Sequence, residues 1–220
     1  PVTVTLRRGL SEVYDTSIDS ANPGTNYGGA PLRIKQGGGL RGLLWFDVSA
    51  IPADAVIDSA ELRVMPIYQY PAGCSLSAKA YGLRRPWQES TATWTWPWSV
   101  PGADGAGFDR DEDAAAEALL TGPSMRAVFE VRNLVQAWVS GLRRNDGLLL
   151  VGGSGGCYLN LASSEAAGSR PELVVTYHLG AADPDSTPTV TPTPTDGPSP
   201  TPRPPALIAS TGGESCIQVP

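Results

Sequence analysis

The chain has 220 residues, a formal net charge of −6 and only 17% charged residues. A mildly acidic chain lacks the basic footprint that phosphate backbones require, which argues against nucleic acid as a partner, and no apolar run approaches the roughly 18–20 residues that span a bilayer. Glycine (25) and proline (21) are both plentiful, a profile of short strands joined by many turns and not of a helical protein.

Composition also divides the chain. Residues 1–180 carry nearly all the aromatic and branched apolar residues, enough for one sizeable core. Residues 181–205 carry almost none and cannot repay the entropy of folding by burial. From Ala181 onward four acids (Asp183, Asp185, Asp196, Glu214) stand against Arg203, so this stretch contributes −3 of the net charge. The chain opens on Pro1 and not on Met, as a mature product that has lost a signal peptide would.

In chain order, Val2-Thr3-Val4-Thr5-Leu6 alternates apolar and polar residues, the period of a half-buried strand. Asn22 to Gly29 is a turn-rich loop, and Leu32 to Lys35 a short strand broken by Gly37-Gly38-Gly39. In Leu43 to Val48 the residues Leu44, Phe46 and Val48 share one face, with Leu43, Trp45 and Asp47 on the other. Ser59 to Val64 and Ser75 to Tyr81 predict two more strands, linked by a loop around Pro71-Ala72-Gly73. Val131, Leu134, Val135 and Trp138 fall at i, i+3, i+4 and i+7, one face of a helix, with Gly141 placed to end it. Leu148 to Val151, introduced by Asn145-Asp146-Gly147, and Leu173 to Tyr177 are the last strands. Eight to ten strands with one short helix predict an all-β fold, a two-sheet jelly-roll sandwich over residues 1–180.

After Gly180 the prolines and threonines predict an extended, semi-rigid linker over 181–205. Its hydroxyls at Thr187, Thr189, Thr191, Thr193, Thr195 and Thr201 are candidate O-glycosylation sites, and the sequence contains no Asn-x-Ser/Thr acceptor. Residues 206–220 turn apolar again in Ala206-Leu207-Ile208-Ala209 and Cys216-Ile217-Gln218-Val219. Such pieces are too small to fold alone but can add as a strand to the sheet of a neighbouring copy. Cys74, Cys157 and Cys216 lie far apart with no nearby histidine, which argues against zinc. Three pairings are open, as are three free thiols. Cys74 with Cys157 is preferred because both lie within the folded module, leaving Cys216 for another chain.

A family pattern runs through these segments. Its residues are Asp15-Thr16-Ser17-Ile18, Asn26-Tyr27-Gly28 and Leu43 through Pro52, then Ser59-Ala60-Glu61-Leu62-Arg63 and Trp87-Gln88-Glu89-Ser90 with Thr93-Trp94. Val131 through Trp138, Asn145-Asp146-Gly147-Leu148, Ser163-Ser164-Glu165 and Arg170 through Val175 complete it. Over roughly residues 12–178 the chain resembles the DNRLRE-domain proteins, secreted jelly-roll modules that include an alginate-binding family of carbohydrate-binding modules. The resemblance implies a β-sandwich in an extracellular, polysaccharide-associated setting, and it does not reach the tail. Two departures stand out: Arg132 occupies the position where the family's helix opens with a hydroxyl or Asp cap, and Trp94 to Gly122 is longer than the family leads one to expect.

Among candidate chemical groups, His178 is the single histidine and reads as a surface residue, with no G-x-S-x-G elbow to make it catalytic. Asp109, Asp111 and Asp113 alternate like the start of a calcium loop, but Ala114 and Leu120 replace its glycine and closing glutamate. The preferred reading is acids ahead of a short Ala-rich helix. Asp15 and Asn26 are a second pair of oxygen ligands that a cation could use. Glu89 and Glu61 could be paired acids for glycoside cleavage, yet Glu89 belongs to the family's Trp-x-Glu-Ser element. Trp87, Trp94 and Trp138 fall at family core positions, whereas Trp45, Trp96 and Trp98 are candidate contacts for a sugar or a protein. Arg33, Lys35 and Arg41, with Arg63, could form a basic strip suited to an acidic polysaccharide.

These readings predict a non-enzymatic module, without cofactor or resident metal, at the cell surface or outside the cell. The first expectation is a structural protein that assembles with copies of itself into a fibre or surface layer, or anchors to a surface, through its tail. The alternative is a carbohydrate-binding module for an acidic polysaccharide such as alginate.

Overall fold

The computed structural model describes residues 1–180 and forms a two-sheet antiparallel β-sandwich. The strands are β1 (Val2–Leu6), β2 (Val13–Asp19), β3 (Leu32–Lys35), β4 (Leu40–Phe46), β5 (Ala55–Val64), β6 (Pro66–Tyr70), β7 (Ser75–Gly82), β8 (Ala116–Thr121), β9 (Ala127–Glu130), β10 (Leu148–Gly152), β11 (Tyr158–Leu161) and β12 (Glu172–Leu179). One sheet has the order β1-β12-β5-β9. The other runs β6-β11-β3-β4-β10-β7-β8, with β2 also paired to β4. The linker 181–205 with its six threonines, Cys216 and the 206–220 segment lie outside the described residues.

The two inner faces meet in a core built from alternate positions, as the strand period demands. Leu44 and Phe46 of β4, Ile57 and Leu62 of β5, Leu148 and Leu150 of β10, and Leu173 and Val175 of β12 all lie in it. A disulfide joins Cys74 to Cys157, 83 residues apart, with Cα atoms 5.8 Å from one another. It ties the approach to β7 to the approach to β11.

The helix α1 (Arg132–Val139) continues from β9 and buries Leu134, Val135, Trp138 and Val139. No side chain caps its start at Val131. Arg132 instead turns outward to β5 and donates from Nε to the Ile57 carbonyl at 2.6 Å. Gln136 adds a second clamp: its Oε1 accepts the Ile57 N–H at 2.8 Å and its Nε2 donates to the Ala55 carbonyl at 3.1 Å. Where β9 stops pairing with β5, two helical side chains take over its backbone hydrogen bonds, so the buried groups remain satisfied. Gly141 ends the helix at φ +70°.

The larger sheet is covered on its other face as well. In β4 and β10, Leu43 and Leu149 alternate with the core leucines and are registered opposite each other. They join a second cluster with Ile18, Leu83, Ala92, Trp98 and Ala103. The segment 83–113 supplies four of these residues and lies over the sheet as an extra layer, which accounts for the length of the stretch after Trp94. Asp109 holds the layer together. Its buried carboxylate accepts the N–H groups of Ser99 (2.7 Å), Val100 (2.8 Å) and Gly105 (3.3 Å), and Arg85 Nε at 3.0 Å. Burial alone would raise the Asp109 pKa, but these donors outweigh it and hold the carboxyl below the ordinary aspartate range.

One expectation is corrected here. The alanines after Asp113 lead into the strand β8 and not into a helix, because Ala116 to Leu120 pair in register with Ala80 to Leu76 of β7. Their burial has period two: Leu120 is fully buried while Leu119 is exposed. Strands β2, β6, β9 and β11 are also additional to those read from the sequence.

Candidate functional site

An aromatic face begins on β2 and β4. Their register sets Tyr14 opposite Trp45, and the rings stack with centroids 5.3 Å apart and planes 26° from parallel. Trp45 is half-buried and fixed by a 3.0 Å hydrogen bond from Nε1 to the Asn145 carbonyl, while Tyr14 is exposed. Asn145 is positioned by the turn into β10, where Gly147 adopts φ +87° and passes so near Leu44 that a Cβ would lie 2.4 Å from its carbonyl oxygen. Trp87 is anchored in the same way, Nε1 to the Asp146 carbonyl at 3.0 Å.

Three shallow clefts share Trp87. One lies between it and Trp45, with Pro86, Asn145 and Asp146. A second, of about 320 Å³, is lined by Tyr14, Gln88, Glu89 and Ser90. The third, of about 420 Å³, is lined by Thr91, Trp96 and Pro97 along with Pro86 and Gln88. Trp96 is 63% exposed. Three indoles and a phenol ring thus line neighbouring clefts whose polar edges are amide, hydroxyl and carboxylate.

No protein-family model matches the chain, and no curated protein matches it.

Beside the aromatic face lies a group of three carboxylates, from Asp15 on β2, Glu89 in the 83–113 layer and Glu165 in the loop before β12. One oxygen from each lies within 4.8 Å of the others. Asp15 is fully buried. Its Oδ2 accepts the Ser164 N–H at 2.5 Å, whereas its Oδ1 has no hydrogen-bond partner among the described residues. Burial, opposed by the Ser164 N–H and reinforced by the charges of Glu165 and Glu89, pushes the Asp15 pKa up to about 7. Glu89 Oε1 accepts the Asp15 N–H at 3.2 Å, and burial raises the Glu89 pKa too. Glu165 Oε1 takes Ser164 Oγ–H at 2.8 Å and pairs with Arg8, while its Oε2 is buried without a partner.

The structure redistributes the residues singled out from sequence. Trp45 and Trp96 line the clefts, and Trp87, expected in the core, joins them with one face on the second cluster. Trp98 does not: it is 7% exposed and its Nε1 donates to the Thr93 carbonyl at 2.9 Å, so it is core. Arg41 is likewise buried, donating to the carbonyls of Gly38 and Gly102 and paired with Asp104, its guanidinium 5.0 Å from the Trp94 ring. The expected basic strip shrinks to Arg33, stacked 4.1 Å over Tyr27, and exposed Lys35, in a separate cleft with Asp19 and Tyr158. Arg63 is on the other sheet, bound to Glu61.

The calcium-loop reading is also corrected. Asp109 spends its oxygens on backbone N–H groups and Arg85, and Asp111 on Arg84 and Arg143, leaving only Asp113 of the three exposed and without such partners. Asn26 is occupied as well: Nδ2 donates to the carbonyls of Glu89 (2.7 Å) and Ala92 (2.8 Å), and Oδ1 accepts the Gly28 N–H. It fastens the first loop to the 83–113 layer. Glu89 meets Asp15 and Glu165 in place of Glu61, and His178 pairs with Asp58 at 2.8 Å. A separate cleft of about 630 Å³ has no aromatic lining, and its Arg84 and Arg143 both pair with Asp111.

Proposed function

We propose that the domain binds a polysaccharide chain without cleaving it, in an extracellular setting. The observation that carries this reading is the run of clefts sharing Trp87, bounded by the Tyr14–Trp45 stack at one end and exposed Trp96 at the other. Flat aromatic faces suit the apolar faces of pyranose rings, and the hydroxyl and amide groups around them suit sugar hydroxyls. The resemblance to DNRLRE modules supports the same reading, as does the Cys74–Cys157 disulfide, which persists best in an oxidising compartment.

The cleft lining decides between chain types. Gln88, Ser90, Thr91 and Asn145 are neutral, Glu89 and Asp146 are acidic, the latter paired with Arg144, and Arg41 is spent inside the fold. We therefore assign an uncharged polysaccharide in preference to alginate. A glycan array probed with the full chain tests the assignment. Binding to uncharged glucans or mannans is expected, and binding confined to anionic chains would move the site to the cleft of Arg33 and Lys35.

A second reading rests on the composition of residues 181–220, a Thr/Pro-rich stretch followed by apolar segments and Cys216. In it the tail joins copies of the chain into a fibre or layer, or anchors the module to a surface. Deleting residues 181–220 should abolish assembly seen by electron microscopy, and assembly unaffected by the deletion would defeat this reading.

A further inference from the structure

We propose that Asp15, Glu89 and Glu165 form a calcium site that fastens β2 to the two loops carrying the glutamates. Asp15 is a fully buried carboxylate with Oδ1 unpartnered, and Glu165 Oε2 is buried in the same condition. A buried polar oxygen without a partner gives up its hydration with nothing in return, and a charged one gives up more. The two orphaned oxygens belong to the same three-carboxylate group, so one cation between them satisfies both.

Charge and spacing fit the ion. Three carboxylates face one guanidinium, Arg8, which binds Glu165 Oε1 and reaches Ser164 Oγ at 3.4 Å. That leaves an excess of negative charge when all three are ionised. The three oxygens lie within 4.8 Å of one another, close enough to share one ion, and calcium takes oxygen ligands at about 2.3–2.6 Å in a flexible geometry. Magnesium usually keeps several waters and binds through one or two carboxylates, so a set of three protein carboxylates suits calcium better. The donors are oxygen only, which disfavours zinc and copper. Hydrogen bonds already orient the ligands: Ser164 N–H on Asp15, Asp15 N–H on Glu89, and Ser164 Oγ–H on Glu165.

The site shares Glu89 with one of the clefts, but it is tested without any glycan. The full chain is stripped with EDTA and titrated with calcium chloride by calorimetry, alongside Asp15→Asn and Glu89→Gln. Glu89→Gln keeps an acceptor for the Asp15 N–H while removing the charge. Wild type should bind one calcium per chain, and each variant should bind at least about tenfold more weakly, the loss typical even of outer-shell changes. Thermal midpoints supply the second readout. In EDTA Asp15→Asn should be at least as stable as wild type, since it removes a buried unpaired charge, and in calcium the order should reverse. Absence of binding to wild type, or binding unchanged in Asp15→Asn, would overturn the proposal.

Discussion

Tyr14 and Trp45 face each other directly across the β2–β4 pairing, their ring centroids 5.3 Å apart. The pair is a cross-strand aromatic contact whose outer partner stays in solvent. Its two halves therefore have separable roles. Tyr14→Ala should cost only about 0.5–1.5 kcal/mol of stability, the worth of an aromatic pair beyond area burial, while removing one wall of the cleft. Trp45→Ala should cost more, because it also leaves the Asn145 carbonyl without its donor. Urea unfolding of the two variants checks the difference.

The 83–113 layer depends on Asp109. Replacing it with Asn leaves the N–H groups of Ser99 and Val100 and the Arg85 guanidinium competing for a single acceptor oxygen, at a cost of about 2–4 kcal/mol. The wild-type carboxyl has a depressed pKa in the fold, so its contribution is complete above the unfolded aspartate value near about 3.9. It is lost as pH falls through the lower folded value. Thermal midpoints measured from pH 6 to pH 2 should therefore drop more steeply below pH 4 for wild type than for Asp109→Asn. Parallel profiles would remove Asp109 from the account of acid stability.

The two cores should respond differently to the same deletion. Leu44→Ala opens a cavity between the sheets and Leu43→Ala one beneath the 83–113 layer, and each should cost about 2–5 kcal/mol. The distinction lies in local opening. Leu43→Ala should expose the layer to limited proteolysis within residues 83–113 under conditions in which Leu44→Ala, though less stable overall, is cut no faster there than elsewhere.

The disulfide closes a long loop between Cys74 and Cys157. Cys74→Ser with Cys157→Ser should lower stability by about 2–5 kcal/mol, and reductant should have the same effect on wild type but none on the double variant. Denaturant midpoints with and without reductant check both statements.

Sequence periodicity served well where the burial of a strand alternates from residue to residue, as in Ser75–Gly82. It failed for β2. There Val-Tyr-Asp-Thr-Ser-Ile-Asp carries polar residues, yet Asp15, Thr16 and Ser17 are buried under loops that come from far along the chain. The helix was legible because Leu134, Val135 and Trp138 make one apolar stripe, while its clamps to β5 through Arg132 and Gln136 had no local signature. β8 read as a helix because alanine is a strong helix former and a poor strand former, and pairing with β7 overrides that preference. Trp96 and Trp98 sit two residues apart, and their opposite exposure follows from how the loop folds around Asp109. The grouping of Asp15, Glu89 and Glu165 joins three segments distant in sequence, so no spacing rule could have found it. The Trp-x-Glu-Ser element did bring Trp87 and Glu89 to notice, but as structural residues.

The most direct measurement is affinity electrophoresis of the full chain in native gels containing soluble mixed-linkage β-glucan, xyloglucan or galactomannan, with alginate as the charged comparison. Wild type should be retarded in at least one uncharged gel, and Tyr14→Ala and Trp96→Ala, both folded, should migrate as they do without polysaccharide. Equal retardation of wild type and both variants, or retardation in alginate alone, would contradict the assignment of the aromatic face.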